Sequence, residues 1–169
     1  MREAALLTAL FLVTAVVAFA GVPSLPYPLA VFPLMLVTGL LVMHRVGVGP
    51  GVAWLVIGAL VLEVRGITPG WCIPVIATAF LAALLVERVF ATRSVYALLG
   101  LGLVSGLSAV SLFLALSLLR TAIQGAGPTF GRLLHEGAWT FILLLAGLYV
   151  GFVTIVTFRS WVQRTFVVR

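Results

Sequence analysis

The sequence predicts an all-α fold: a polytopic membrane protein with six transmembrane helices in one bundle and both termini cytoplasmic. Three observations predict it. Of the 169 residues, 63% are hydrophobic and 8% charged, whereas a soluble domain runs about 45–50% apolar and about 25% charged. The chain divides into six apolar runs separated by Pro, Gly and Arg. The charge of +6 comes from ten Arg against four Glu, with no Lys and no Asp, a bias expected at cytoplasmic helix ends. The mean hydropathy of +1.31 agrees. This length leaves no room for a separate soluble domain, so residues 1–169 read as one transmembrane domain.

The elements follow in order. The spans run over about 4–22, 28–43, 48–62, 72–86, 95–119 and 138–158. Backbone groups cannot stay unpaired in hydrocarbon, so each run is expected to be helical. The first contains Ala18-Phe19-Ala20, which resembles a signal-peptidase site. Its apolar stretch exceeds the about 7–15 residues of a signal-peptide core, so it is read as a retained helix. Pro23-Ser24-Leu25-Pro26-Tyr27-Pro28 makes a stiff break before the second run. The second, third and fourth runs are short for a hydrocarbon core of about 30 Å, which requires extension into flanking residues or local thinning. Gly66-Ile67-Thr68-Pro69-Gly70 is a turn signal, and the longest connection runs from Thr121 to Gly137.

With the N-terminus inside, the cytoplasmic ends carry Arg2, Arg45, Arg88, Arg93, Arg159, Arg164 and Arg169. Only Arg65, Arg120 and Arg132 fall outside. This asymmetry supports cytoplasmic termini. After the sixth span, Phe158, Trp161, Val162 and Phe166 recur at helical spacing while Arg159, Gln163 and Arg164 take other faces. Residues 159–169 therefore read as a short amphipathic tail that meets anionic lipid or a cytoplasmic protein. Arg88, Arg93, Arg159 and Arg164 are the candidates for cytoplasmic contacts.

The polar residues exclude more chemistry than they suggest. Ionisable groups within a membrane mark ion, proton or substrate paths. Here His44 and Arg45 end the second run, Glu63 and Arg65 the third, and Glu87 and Arg88 the fourth. His135 and Glu136 precede the sixth. No such group sits at a span's centre, which disfavours a proton pump or voltage sensor. One Cys, Cys72, and two His leave neither an internal disulfide nor a Cys/His metal set. His135 and Glu136 are adjacent, so on a helix they point in different directions and make a poor acid/base pair. No loop resembles a phosphate cradle. The expectation is a protein that is not an enzyme, with no cofactor, no metal and no nucleic-acid partner.

Small residues give the positive signal. Gly102-Leu103-Val104-Ser105-Gly106 is a G-x-x-x-G, continued by Ser105 to Ala109, and Gly147-Leu148-Tyr149-Val150-Gly151 is another. Ala5 and Ala9 stand four apart in the first run, and Ala79 and Ala83 in the fourth. Such stripes let helix backbones approach in lipid. They either pack the chain's own helices or face a partner's helix. Gly102, Ser105, Gly106, Ala109, Gly147 and Gly151 are the candidates for this packing. Ser105, Ser108, Ser111 and Ser117 make the fifth run the most polar, favouring an interior or partner-facing position.

From Pro33 to Leu103 a further pattern emerges. Leu40-Leu41-Val42-Met43-His44-Arg45 is followed by Gly47 and Gly51. Gly58-Ala59-Leu60-Val61-Leu62-Glu63 then precedes the Gly66–Gly70 turn, and Arg88-Val89-Phe90-Ala91-Thr92-Arg93-Ser94 forms a basic turn. This order resembles the MreD family, small membrane subunits of the bacterial rod-shape machinery. Glu63 stands where that family more often has Asp. The resemblance implies a non-enzymatic scaffold that binds the bitopic protein MreC. It would be linked thereby to a cell-wall transpeptidase and glycosyltransferase and to MreB filaments.

Six-helix substrate-binding subunits of energy-coupling-factor transporters are similar in size and dock through Ala-x-x-x-Ala on an early helix. Ala5-Leu6-Leu7-Thr8-Ala9 matches that pattern. That alternative requires a vitamin or metal site at the outer face. Its candidates are Glu63, Arg65, Trp71, Arg132, His135 and Glu136, with Arg120 and Gln124 nearby.

Overall fold

The computed structural model describes residues 2–31, 33–64, 71–88, 94–124 and 130–166. It is an all-α bundle of six helices: α1 (Arg2–Val16), α2 (Leu34–Arg45), α3 (Val48–Val64), α4 (Cys72–Arg88), α5 (Val95–Gln124) and α6 (Phe130–Phe166). A π-helical turn, Val17–Gly21, and a 3-10 turn, Val22–Ser24, continue α1. A second 3-10 turn, Leu29–Val31, leads to Pro33 and α2.

Six crossings are not what forms. Among the described residues, two helices are long and apolar enough to cross a membrane, over Val95–Ile123 and Phe130–Thr157. The reason lies in where the others stop. Pro33 stands at the start of α2 and Arg45 closes it after 12 residues, a rise of about 18 Å. Helices α3 and α4 have 17 residues each, about 25 Å against a hydrocarbon core of about 30 Å. The α-helical part of α1 ends at Val16 where the π turn begins. The cytoplasmic placement of both termini rested on six crossings, and it falls with them. What stands is a helical, membrane-associated chain with two helices able to span. Only 17% of the apolar window of α6 is buried, which sets it apart from the core helix of a soluble domain.

Boundaries shift as well. The connection expected over 121–137 is mostly helix, because α5 runs on to Gln124 and α6 begins at Phe130. His135 and Glu136 therefore lie inside α6. The amphipathic tail is no separate element, since α6 continues through it to Phe166.

Helix α2 is the axis of the fold. Nine of its residues are buried: Met35, Leu36, Val37, Gly39, Leu40, Leu41, Val42, Met43 and His44. It packs on α3, α6, α4 and α5. Leu36, Leu40, Leu41 and Met43 join Leu55, Ala79, Ala82, Leu98, Leu101, Leu144 and Leu148 in one core. The α2–α3 reversal takes only Val46 and Gly47. The Gly47 N–H reaches back to the Val42 carbonyl at 3.2 Å, and Gly47 adopts φ +152°, which disfavours a side chain. At Gly51 a Cβ would fall 2.5 Å from Met43 Cα. The two backbones touch there.

Candidate functional site

Gly102 and Gly106 of α5 look inward. A Cβ on Gly106 would meet Leu144 at 2.7 Å and Phe141 at 2.9 Å, and one on Gly102 would collide with Leu148. Farther along the pair, a Cβ on Gly137 would meet Val110 at 2.9 Å. A Cβ on Gly151 of α6 would meet Leu41 of α2 at 2.6 Å. Ala109 and Ser105 are buried, and Gly147 is half-buried on α6. This small-residue surface holds α5, α6 and α2 together inside the chain.

The other stripe behaves differently. Helix α1 has two distinct faces. Leu7 and Phe11 pack inward beside buried Thr14, Ala15 and Ala18. The inward face rests on Trp54 of α3, whose ring meets Phe11 edge-on with centroids 5.1 Å apart. The Trp54 indole N–H donates to Thr38 Oγ1 at 3.0 Å, and that hydroxyl donates in turn to the Leu34 carbonyl at 2.9 Å. A buried indole needs such an acceptor, so the Thr38–Trp54 pair fixes the platform on which α1 lies. The opposite face exposes Ala5, Ala9, Leu12 and Val16 in one row, with Leu6, Leu10, Val13 and Val17 beside it.

The outer polar candidates make separate contacts. Trp71 stacks on Phe113 with centroids 4.2 Å apart. Arg132 Nε donates to Glu136 Oε1 at 3.2 Å, an ion pair within α6. His135 stacks on Tyr27 at 5.7 Å and meets Trp139 edge-on at 6.3 Å. Among the described residues no hydrogen bond, ion pair or ring contact joins these three groups. Glu63 is half-buried at the end of α3. The Cys72 thiol is pushed up from its ordinary value by burial first and by the Glu63 charge second. Arg65 lies outside the described residues. Arg120 is exposed. Among the described residues no three His, Cys, Asp or Glu side chains come together as metal ligands would.

Of the basic candidates, Arg88 is exposed at the end of α4. Arg93 lies outside the described residues. Arg159 and Arg164 lie on α6, but their side chains are outside the described set. Arg45, expected at a cytoplasmic helix end, has a more specific setting. Its guanidinium carbon sits 4.5 Å from the centroid of the Phe152 ring, and the buried His44 ring meets that same ring at 6.5 Å.

Sequence reasoning passed over Tyr27, Phe11, Thr38 and Phe152. A Trp in mid-helix with a Thr 16 positions earlier was the one signal that could have located the α1 platform. Comparison with family models, with curated proteins and with solved structures finds no match.

Proposed function

We propose that the chain is a non-enzymatic integral-membrane scaffold of the bacterial cell-elongation machinery, working in the cytoplasmic membrane by binding other membrane proteins. The observation that carries this reading is the outward face of α1. Ala5 and Ala9 leave a shallow strip between large apolar side chains, a surface on which a partner's helix can lie at close range. The glycines that might have served this purpose are occupied within the bundle. The resemblance to MreD supplies the partner: a bitopic MreC-like protein, and through it a cell-wall transpeptidase and glycosyltransferase and MreB-like filaments.

The second reading, a substrate-binding subunit of an energy-coupling-factor transporter, draws on the same exposed Ala5–Ala9 strip. It has less support at the outer end, where Trp71 stacks on Phe113, His135 stacks on Tyr27 and Arg132 pairs with Glu136. Purification of the tagged full chain from native membranes in mild detergent, with mass spectrometry of what accompanies it, separates the two. The scaffold reading expects an MreC-like bitopic protein together with a cell-wall polymerase, both lost on Ala9→Trp. Recovery of paired ATPases with a coupling membrane protein overturns it.

A further inference from the structure

We propose that Arg45 forms a binding site for a phosphate group, supplied by the headgroup of an anionic membrane lipid. Arg45 is the last residue of α2, the most enclosed helix of the fold, and is itself half-buried. Its Nε and Nη2 are buried and find no hydrogen-bond acceptor among the described residues. Arginine does not shed its proton in proteins, so this charge and its donors require a partner. Two features of the chain hold the cation without satisfying it. The Phe152 ring lies against the guanidinium at 4.5 Å, the C-terminal end of α2 favours positive charge, and neither offers those two nitrogens an acceptor.

Among the described side chains, none at the neighbouring helix ends supplies an anion either. The antiparallel hairpins place the end of α2, the start of α3, the end of α4 and the start of α5 at one end of the bundle. There Arg88 and Glu87 are both exposed. The Arg132–Glu136 ion pair belongs to the N-terminal part of α6. A phosphate suits the vacant donors, because a guanidinium fork matches its oxygens two at a time. A lipid is the source favoured by the surroundings. On the side of Phe152 nearer the middle of the α6 apolar window, Tyr149 and Val150 are exposed, which suits acyl chains below a headgroup.

The test uses the full chain in an uncharged detergent. Thermal melting and native mass spectrometry follow addition of phosphatidylglycerol, phosphatidylcholine or inorganic phosphate. Phosphatidylglycerol is expected to bind and to raise the melting temperature of the unmodified chain, with phosphatidylcholine much weaker. Arg45→Met is expected to weaken phosphatidylglycerol binding by about tenfold or more, the scale of a hydrogen bond to a charged group. Without lipid, the same variant should melt no lower than the unmodified chain, since it removes donors that lack a partner. Arg45→Lys, which keeps the charge but not the fork, should bind with intermediate strength, while Arg88→Gln should bind nearly as the parent does. Equal response to millimolar inorganic phosphate supports the phosphate site and identifies its source as soluble. Undiminished phosphatidylglycerol binding by both Arg45 variants overturns the proposal. So does a lipid-free Arg45→Met chain that melts well below its parent, because the guanidinium then serves the fold alone.

Discussion

Gly106 and Cys72 show what single positions decide here. At Gly106 the space for a side chain is already taken by Leu144 and Phe141. Gly106→Leu is therefore expected to cost about 1–3 kcal/mol by overpacking, read as a lower melting temperature in detergent. The effect should appear in the purified chain without any partner, because the glycine packs α5 on α6. At Cys72 the thiol holds its proton above the ordinary range, through burial and then through Glu63. The thiolate is the reacting form, so maleimide labelling near pH 8 should be slower than for a free thiol and should quicken as pH rises. The linked stability is fully present below the unfolded thiol's pKa and declines as pH climbs through the folded one. Glu63→Gln removes the smaller cause, so labelling should speed up modestly; an unchanged or slower rate would show that Glu63 does not act on the thiol.

Helices α1 and α6 raise different questions. Helix α1 meets the rest of the molecule through one narrow inward row centred on Phe11 and Trp54. Trp54→Ala removes that platform and leaves Thr38 without its donor, at an expected cost of about 3–5 kcal/mol. The loss should be local. A cysteine placed at buried Ala18 should become reactive in the variant, while one placed at Leu148 in the main core stays protected. Equal exposure of both would mean that α1 and the core unfold together. For α6, the Arg132–Glu136 pair is largely solvent-exposed and i,i+4. A double-mutant cycle is expected to give only about 0.3–0.5 kcal/mol, screened further by salt.

On the scale of the whole molecule, the question is which apolar surface meets lipid. Helix α6 exposes Ile142 midway along its apolar window, with Tyr149 and Val150 farther on. A lysine at Ile142 should reduce membrane insertion of this segment by about 2.5–3.5 kcal/mol in an insertion assay, as for a charge at a helix centre. The same change at Tyr96, 82% exposed near the start of α5, should cost little, because a lysine there can snorkel to the interface. Equal penalties at both sites would argue that α6 does not cross.

Much of the architecture was legible from composition alone. An apolar run cannot leave backbone groups unpaired in lipid, so helices were forced wherever Arg, Gly and Pro did not intervene. Arg45, Cys72 and Val95 mark helix ends in the structure as they do in the residue order. Hydropathy could not report how many of those helices cross, because it reads apolar character without reading the uninterrupted length that folding leaves. Nor could it say which stripe is spent. Gly102–Gly106 and Ala5–Ala9 have the same spacing, yet one faces α6 and the other faces outward. That difference arises from long-range packing: the Thr38–Trp54 bond turns α1 by its opposite face, and the leucines of α6 close over α5. The setting of Arg45 has the same origin. Its position at a helix end was written in the sequence, but its contact with Phe152, 107 residues away in the chain, exists only because α6 folds back across α2.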